Sequence, residues 1–583
     1  MEFPTLHVKQ KSRQMLDAFL GYNHNLRIGD SEFYDMQNMT SDYYPVLAPR
    51  KRRGIYKKIR SAGLITKDQL CHVDGSAFVI GEERVEMGLS TKEEDCPKRL
   101  ISMGAYVIIM PDRKYISTVK KDGKYDHGDI DKTHSVTNAE FTLCTLTGDP
   151  YKDVVKNKTA PEKPTDGKLW LDESTTPNTL KKYSASQALW VSIATTYIKI
   201  NAEGIGEGLK QYDGITLSGI TQAGLTELNG SHALWGCGEG YLIVTGMIDA
   251  TKTQKEAITV SRKMPDMDFI VESNNRLWGC KYGENEDGDV VNEIYASKLG
   301  DFKNWNCFMN LSTDSYRVSC GTDGPFTGAI THLGYPLFFK ENCIHKVYGN
   351  YPANFQVQDT PCRGVQKGSH RSLAIVNETL FYKSGSAVCA YDGSLPVEMS
   401  AALGEKRYSD AVAGALGNKY YITMKDAEKN SHLFVYDTAK GMWHKEDDLY
   451  VDCFCPYANE LYGIDSKSKN IVTMLGSGVT GEEKVLWMAE TGAIGMALPD
   501  MKYISRLLIR MSLATGATAL ISIQYDSIGD WEYLPGMKST SLRSFAVSIH
   551  PRRCDHFRIR IEGEGECRIY SITKTIEQGS DVS

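Results

Sequence analysis

Several stretches of this chain carry residue types that could do chemistry. Arg50, Lys51, Arg52 and Arg53, followed closely by Lys57 and Lys58, form a dense basic run. Such a run could hold nucleic-acid phosphates or an acidic partner. Lys and Arg also discourage pairing at a solvated strand edge, which is the simpler reading. Glu446, Asp447 and Asp448 form one carboxylate cluster, and Glu562, Glu564 and Glu566 another. Glycoside hydrolysis needs two carboxyl groups facing each other across the scissile bond at a set gap. Neighbours on one strand or turn more simply make a solvated edge. Cys453-Phe454-Cys455 places two thiols on one strand face. A zinc site would need two more ligands at suitable spacing, and no CxxC or HxxxH motif supplies them. The acidic loops Asp126–Asp131 and Glu284–Asp289 offer oxygens to a hard cation without EF-hand spacing. Gly204-Ile205-Gly206-Glu207-Gly208 lacks the Lys-Ser/Thr of a phosphate loop, and no GxSxG motif is present. The residues therefore give no catalytic, cofactor or metal assignment.

The elements that would position these residues read as short strands. In residues 418–447, Tyr420–Lys425, His432–Asp437 and the run from Met442 are separated by two turns. Leu433, Phe434, Val435 and Tyr436 make the middle strand apolar on both faces, so both faces must be covered. The pattern recurs upstream, each copy carrying a tyrosine: Tyr295, Tyr348, Tyr391 and Tyr436. A strand-built period of roughly 40–50 residues is the mark of a β-propeller. Two hairpin units precede these copies, at Ala77–Met87 and Ala105–Val119. A weaker unit with Thr473 in place of the tyrosine follows them. The expected fold is all-β: a propeller of about seven blades, with an inserted β-domain and a C-terminal β-sandwich-like module. A strand from the N-terminal segment would complete the last blade. The repeated tyrosines and Trp443 are read as blade-packing residues.

The expected division is an N-terminal docking segment at 1–60, first blades at 61–135 and the inserted domain at 136–265. The remaining blades fill 266–495 and the sandwich-like module 496–583. In that module, Phe557, Ile559 and Ile561 alternate with Arg558 and Arg560, which predicts one buried and one wet face.

At 583 residues the chain exceeds one core. With 41% hydrophobic and 24% charged residues it is neither collagen-like nor disordered in composition. A net charge of −6 excludes a histone-like binder. The 14 scattered cysteines predict reduced, mostly buried thiols rather than a disulfide scaffold. The first residues lack the apolar run of a signal peptide, and no stretch is long enough to span a membrane. Synthesis in a cytoplasm without a cleaved signal is the expectation.

Two segments, ENCIHKVYGNYPANFQV and GVQKGSHRSLAIVNETLFYKSGSAVCAYDGSLP, resemble the propeller of tail-tube nozzle proteins of short-tailed bacteriophages. These proteins are also called packaged-DNA stabilisation proteins. GYNHNLRIGDSEFYDMQNMTSDYYPVLAPRKRRG is similar to their N-terminal stretch, and DGKLWLDESTTPNTLKKYSASQALWVSI to phage tail sequences. The resemblance implies a non-enzymatic virion protein in a homo-oligomeric ring, usually six copies, below the portal and its adaptor. Such a ring extends the channel for double-stranded DNA, retains the packaged genome and opens for ejection. The implied partners are the adaptor, tail fibre or tail tip proteins, and DNA without sequence recognition. The implied location is the virion tail, assembled in the host bacterial cytoplasm. No cofactor is implied and no active-site residue carries over. Two other readings stay open: a kelch-like protein-binding scaffold, and a propeller that binds or cleaves glycans.

Overall fold

The computed structural model describes residues 11–478, 480–537 and 541–578. The protein is all-β. The helical turns among the described residues are five 3₁₀ segments of three residues each. Six four-stranded sheets and one five-stranded sheet repeat the same meander, in which consecutive strands neighbour one another. They begin at Leu64–Thr66, Arg99–Met103, Phe269–Ser273, Gly328–His332, Ala374–Val376, Ser409–Leu416 and Val451–Tyr457.

The sixth sheet shows why these sequences form strands. Lys419–Lys425 and Ser431–Asp437 pair antiparallel, with Tyr420 opposite Tyr436 and Ile422 opposite Phe434. One face buries Tyr420, Ile422, Met424, Phe434 and Tyr436 in a large core. The other buries Tyr421, Leu433 and Val435 against Leu461 and Val472 of the seventh sheet. Both faces are covered, as the apolar pattern requires. Each fully buried aromatic or aliphatic side chain contributes roughly 1.5–3 kcal/mol. Asp437 ends the strand: its Oδ1 accepts from the Ala439 and Lys440 amides. Gly441 then turns the chain at φ +65° into Met442–Lys445.

The repeat has four strands where the sequence suggested three. The strand missed in the sixth sheet is Ser409–Leu416, SDAVAGAL. It packs against the first strand of the seventh sheet, Val451–Tyr457. A Cβ on Gly414 would collide with the Phe454 side chain. Close approach therefore selects small residues, and small residues carry no strand signal. The four marked tyrosines all lie on the third strand of their sheets. Tyr295, Tyr391 and Tyr436 are buried, while Tyr348 is half-buried against Tyr335, ring centroids 5.1 Å apart.

The chain divides into two compact units. One is drawn from Met1–Leu100, Phe338–Ile344 and Thr360–Ser583, the other from Ile101–Leu337 and His345–Asp359. Within the first, the opening strands pack in series: Ala374–Val376 on Ser409–Leu416, that strand on Val451–Tyr457, and that in turn on Leu64–Thr66. Within the second, Phe269–Ser273 packs on Gly328–His332 in the same way. The second unit also holds three sheets between Lys132 and Arg262. Two of them share a core that includes Phe141, Ile200, Leu217, Leu242 and Val260. Asp213 fixes this region to the loop after Val290–Ala296, accepting from Arg262 Nη1 at 2.6 Å and from Asn304 Nδ2 at 2.9 Å.

The described N-terminal residues, from Lys11 on, enter sheets formed by later parts of the chain. Lys11–Leu16 pairs with Cys567–Gln578, Phe33–Gln37 with Leu486–Thr491, and Gly54–Lys58 with Asn470–Thr473. The first two complete the two sheets of the C-terminal module. One sheet runs Phe33–Gln37, Leu486–Thr491, Phe557–Glu564, Thr518–Tyr525, Glu532–Met537. The other runs Lys11–Leu16, Cys567–Gln578, Lys502–Leu513, Arg543–Val547. Ala489, Ile509, Ile521, Ile559, Ile561 and Ile572 are buried in the same core.

Candidate functional site: an arginine clasp and its cleft

The basic run sits where four elements of the first unit meet. Ala48–Pro49 and Gly54–Lys58 flank it, Met442–Lys445 ends just before the acidic turn, and Thr480–Gly481 pairs with Gly54–Lys58. Because the segment between the two flanking strands is irregular, its side chains do not alternate simply. Arg50 and Arg53 point inward and are 6% and 7% exposed, whereas Lys51, Arg52, Lys57 and Lys58 are exposed. The run therefore splits into two structural arginines and four surface cations.

Arg53 donates from Nη2 to Glu446 Oε2 at 2.6 Å and Asp447 Oδ1 at 3.0 Å, and from Nη1 to Asp447 Oδ2 at 2.5 Å. Arg50 donates from Nη1 and Nη2 to the two oxygens of Glu482, at 2.7 and 2.9 Å, and from Nε to Asn38 Oδ1 at 2.8 Å. Its Nη2 also reaches Asp447 Oδ2 at 3.2 Å. Burial pushes the Asp447 carboxyl up, but Arg53 and Arg50 outweigh it and hold the group below its ordinary value. Burial opposes Glu482 in the same way, and the hydrogen bond from Arg50 with its charge brings it down. Burial works against the charged Arg53, yet the two carboxylates keep it protonated far above any working pH. The acidic cluster read as a possible catalytic pair is thus a fork-to-fork ion cluster.

Beside the clasp lies a cleft of about 830 Å³ lined by Tyr43, Lys51, Arg52, Lys484, Glu566 and Arg568, among others. Arg568 stacks over Tyr43 at 4.7 Å. Arg52 Nη1 donates to the Glu483 carbonyl at 3.3 Å, and Lys484 pairs with Glu564 at 2.7 Å. The arrangement can receive an acidic segment: the exposed ammonium of Lys51 and the guanidiniums of Arg52 and Arg568 are part of its lining, beside Glu483 and Glu566. The sequence pointed to Lys51 and Arg52 but not to Arg568 or Tyr43, which arrive from distant strands.

The other sequence candidates are dispersed. Cys455 is buried and Cys453 half-buried, and burial pushes the Cys453 thiol up to about 12. All 14 cysteines are free. Asp129 pairs with Lys114, and Asp131 and Glu286 with Arg113. Among the described residues no group of three or more His, Cys, Asp or Glu is placed to hold a metal. No helix among them is long and apolar enough to cross a membrane.

No family model and no curated protein matches the chain. Solved structures give faint likenesses. An exo-β-1,3-galactanase from Phanerochaete chrysosporium is 8% identical, with 52% of this chain and 94% of that one covered at TM-score 0.22. Apo AztD from Citrobacter koseri is 12% identical, with 66% and 95% covered at TM-score 0.23. A Trypanosoma rangeli sialidase is 8% identical, with 90% and 95% covered at TM-score 0.20. At TM-scores this low the likenesses transfer neither architecture nor activity.

Proposed function

We propose that the seven meander sheets are the blades of one β-propeller and that the protein is a structural tail nozzle subunit of a short-tailed bacteriophage. The observation that carries the propeller is Gly54–Lys58. It adds to the last sheet, pairing with Asn470–Thr473, while residues 64–86 begin the first sheet. Completing the last blade with a strand from the chain's beginning is how a propeller closes without a free edge. The serial packing of opening strands supports the same reading. The nozzle function rests on the resemblance of the segments quoted above. A net charge of −6 over the whole chain is compatible with a channel that does not hold DNA phosphates. The interlock of residues 11–58 with strands beyond 470 suits a part that holds shape under load. In this role the cleft beside Lys51 and Arg52 receives an acidic segment of a neighbouring subunit or of the adaptor.

Electron microscopy of purified virions, with light scattering of the recombinant chain, tests this. A closed ring of copies on the tail is expected. A stable monomer absent from virions overturns the reading. Recovery of one soluble cellular partner, with no adaptor or portal, would favour a kelch-like scaffold, for which the same cleft provides a docking place.

A further inference from the structure

The C-terminal sandwich has a core side and an outer side, and the outer side is unlike an ordinary wet face. Phe557–Glu564 buries Phe557, Ile559 and Ile561 inward and sends Arg558 and Arg560 outward. Pairing sets one row across the sheet: Glu490 lies opposite Arg560, Arg560 opposite Ser522, and Ser522 opposite Tyr533. Glu490 is only 5% exposed because the two arginines cover it. Arg560 donates from Nε and Nη2 to Glu490 Oε2, at 2.9 and 2.6 Å, and Arg558 Nη2 pairs with Glu490 Oε1. Each guanidinium also lies on a ring, Arg560 over Trp531 at 4.2 Å and Arg558 over Tyr34 at 4.7 Å. Tyr34 in turn stacks on His24, ring centroids 4.3 Å apart. At the far end of the row Tyr533 is 69% exposed.

Within this row Ser522 is 1% exposed and its Oγ has no hydrogen-bond partner. A buried hydroxyl without a partner costs free energy unless something meets it. It lies on the outer side, since its neighbours Ile521 and Ile523 face the core. The face thus combines an exposed aromatic ring, a second ring under a planar cation, and a buried hydroxyl awaiting a partner.

We propose that this face, centred on Trp531, Tyr533, Arg560 and Ser522, is a binding site for a neutral glycan. The charges decide against a polyanion. Phosphate recognition needs cations not already neutralised, and Glu490 engages both arginines here. A pyranose has an apolar C–H face that stacks on a ring such as Tyr533, and a rim of hydroxyls that both donate and accept. Those hydroxyls match the Nη1 of Arg560, which has no partner among the described residues, and meet the Ser522 Oγ when the side chains covering it are displaced. This site does not depend on the nozzle reading.

The test uses the full chain on a printed array of neutral hexose and N-acetylhexosamine oligosaccharides with sialylated and sulfated members. Saturation-transfer difference NMR follows on the glycans retained. A neutral oligosaccharide should bind, and binding should persist at high salt, where exposed charge–charge attraction is screened. Tyr533→Ala, an exposed truncation that leaves the core intact, should weaken it about tenfold or more. Ser522→Ala should weaken it a few-fold, and Arg543→Ala on the opposite sheet should leave it unchanged. Absence of any neutral ligand overturns the proposal. Binding confined to sulfated or sialylated glycans and abolished by salt also overturns it, as does neutral binding indifferent to Tyr533→Ala.

Discussion

Arg53 and Asp447 meet through two hydrogen bonds of 2.5 and 3.0 Å across 394 residues of sequence. The pair fastens the N-terminal segment to the turn that leaves the sixth sheet. Glu446, 6% exposed, accepts from the same guanidinium. Removing the arginine would strand two carboxylates in a poorly hydrated site. Breaking one side of such a buried pair costs about 3–5 kcal/mol. Arg53→Met should therefore lower stability by that order in urea unfolding. Arg53→Lys should recover little, since an ammonium cannot reproduce the forked contact. A loss under about 1 kcal/mol for Arg53→Met would mean the cluster is solvated in solution.

The pH response should fall in two windows. Burial, with Lys57 nearby, brings the His72 imidazole down from 6.5 to about 4, and neither ring nitrogen has a partner. Between those values the unfolded chain takes a proton that the folded chain refuses. Stability therefore falls as pH drops through that window, His72 contributing at most about 3 kcal/mol; His370 and His444, which burial brings from 6.5 down to about 3, add to the fall. Below it the clasp acts. Asp447 and Glu482 are held below their ordinary values of 3.8 and 4.5. Their contribution is complete above those values and is lost as pH falls through the lower folded ones. His72→Leu should make the fall through the upper window shallower without removing it, since His370 and His444 still titrate there, leave the carboxylate contribution intact, and raise stability near neutral pH by about 1 kcal/mol. Denaturation midpoints measured from pH 7 to pH 3 would show this. An unchanged slope between pH 6.5 and pH 4 in the variant would assign the acid loss to other groups.

How far the sequence reaches is set by which signals are local. The strands of residues 418–447 were readable because Leu433, Phe434, Val435 and Tyr436 allow only a strand covered on both sides. The first strand of the sixth sheet was not, because Ala411, Ala413 and Gly414 are small for close packing and look like a turn. The weak seventh unit was found through Ile471, Val472 and Thr473, and the need for an N-terminal strand followed from the repeat. Its place beside Thr473, and the entry of Lys11–Leu16 and Phe33–Gln37 into the sandwich, left no local trace. The basic run and the acidic cluster were each visible, but nothing in either one names the other. Likewise the alternation of Arg558 and Arg560 suggested a wet face. Glu490 and Ser522 come from other strands and Trp531 from the residue before Glu532–Met537.

Gly54 should be intolerant of any side chain. A Cβ there would lie 2.6 Å from Thr473 Oγ1 and 2.8 Å from the Gly478 backbone. The Gly54 amide also donates to Thr473 Oγ1 at 3.1 Å, so the added atom would fall on the group that holds the strand. Backbone at Gly478 cannot yield as a flexible side chain would. Gly54→Val should release Gly54–Lys58 from Asn470–Thr473, which hydrogen exchange would register as lost protection in both strands. Preserved protection in the variant would remove this strand from the closure argument.

Trp443 separates packing from ligand binding. It is 2% exposed, and its ring lies 5.0 Å from Tyr436 and 6.4 Å from Phe434. Its Nε1 donates to the Met399 carbonyl at 2.8 Å, and its own carbonyl accepts from the Tyr22 amide at 2.6 Å. The residue therefore joins the fifth and sixth sheets to the N-terminal segment and offers no face to a ligand. Trp443→Ala should cost about 3–5 kcal/mol through the cavity it leaves. Trp443→Phe should keep most of the packing and lose about 1–2 kcal/mol, because the Met399 carbonyl loses its donor. Both variants should weaken exchange protection in residues 19–37 in proportion to their instability. A Trp443→Ala protein with an unaltered unfolding midpoint would show that this ring is not part of the sheet-to-sheet packing.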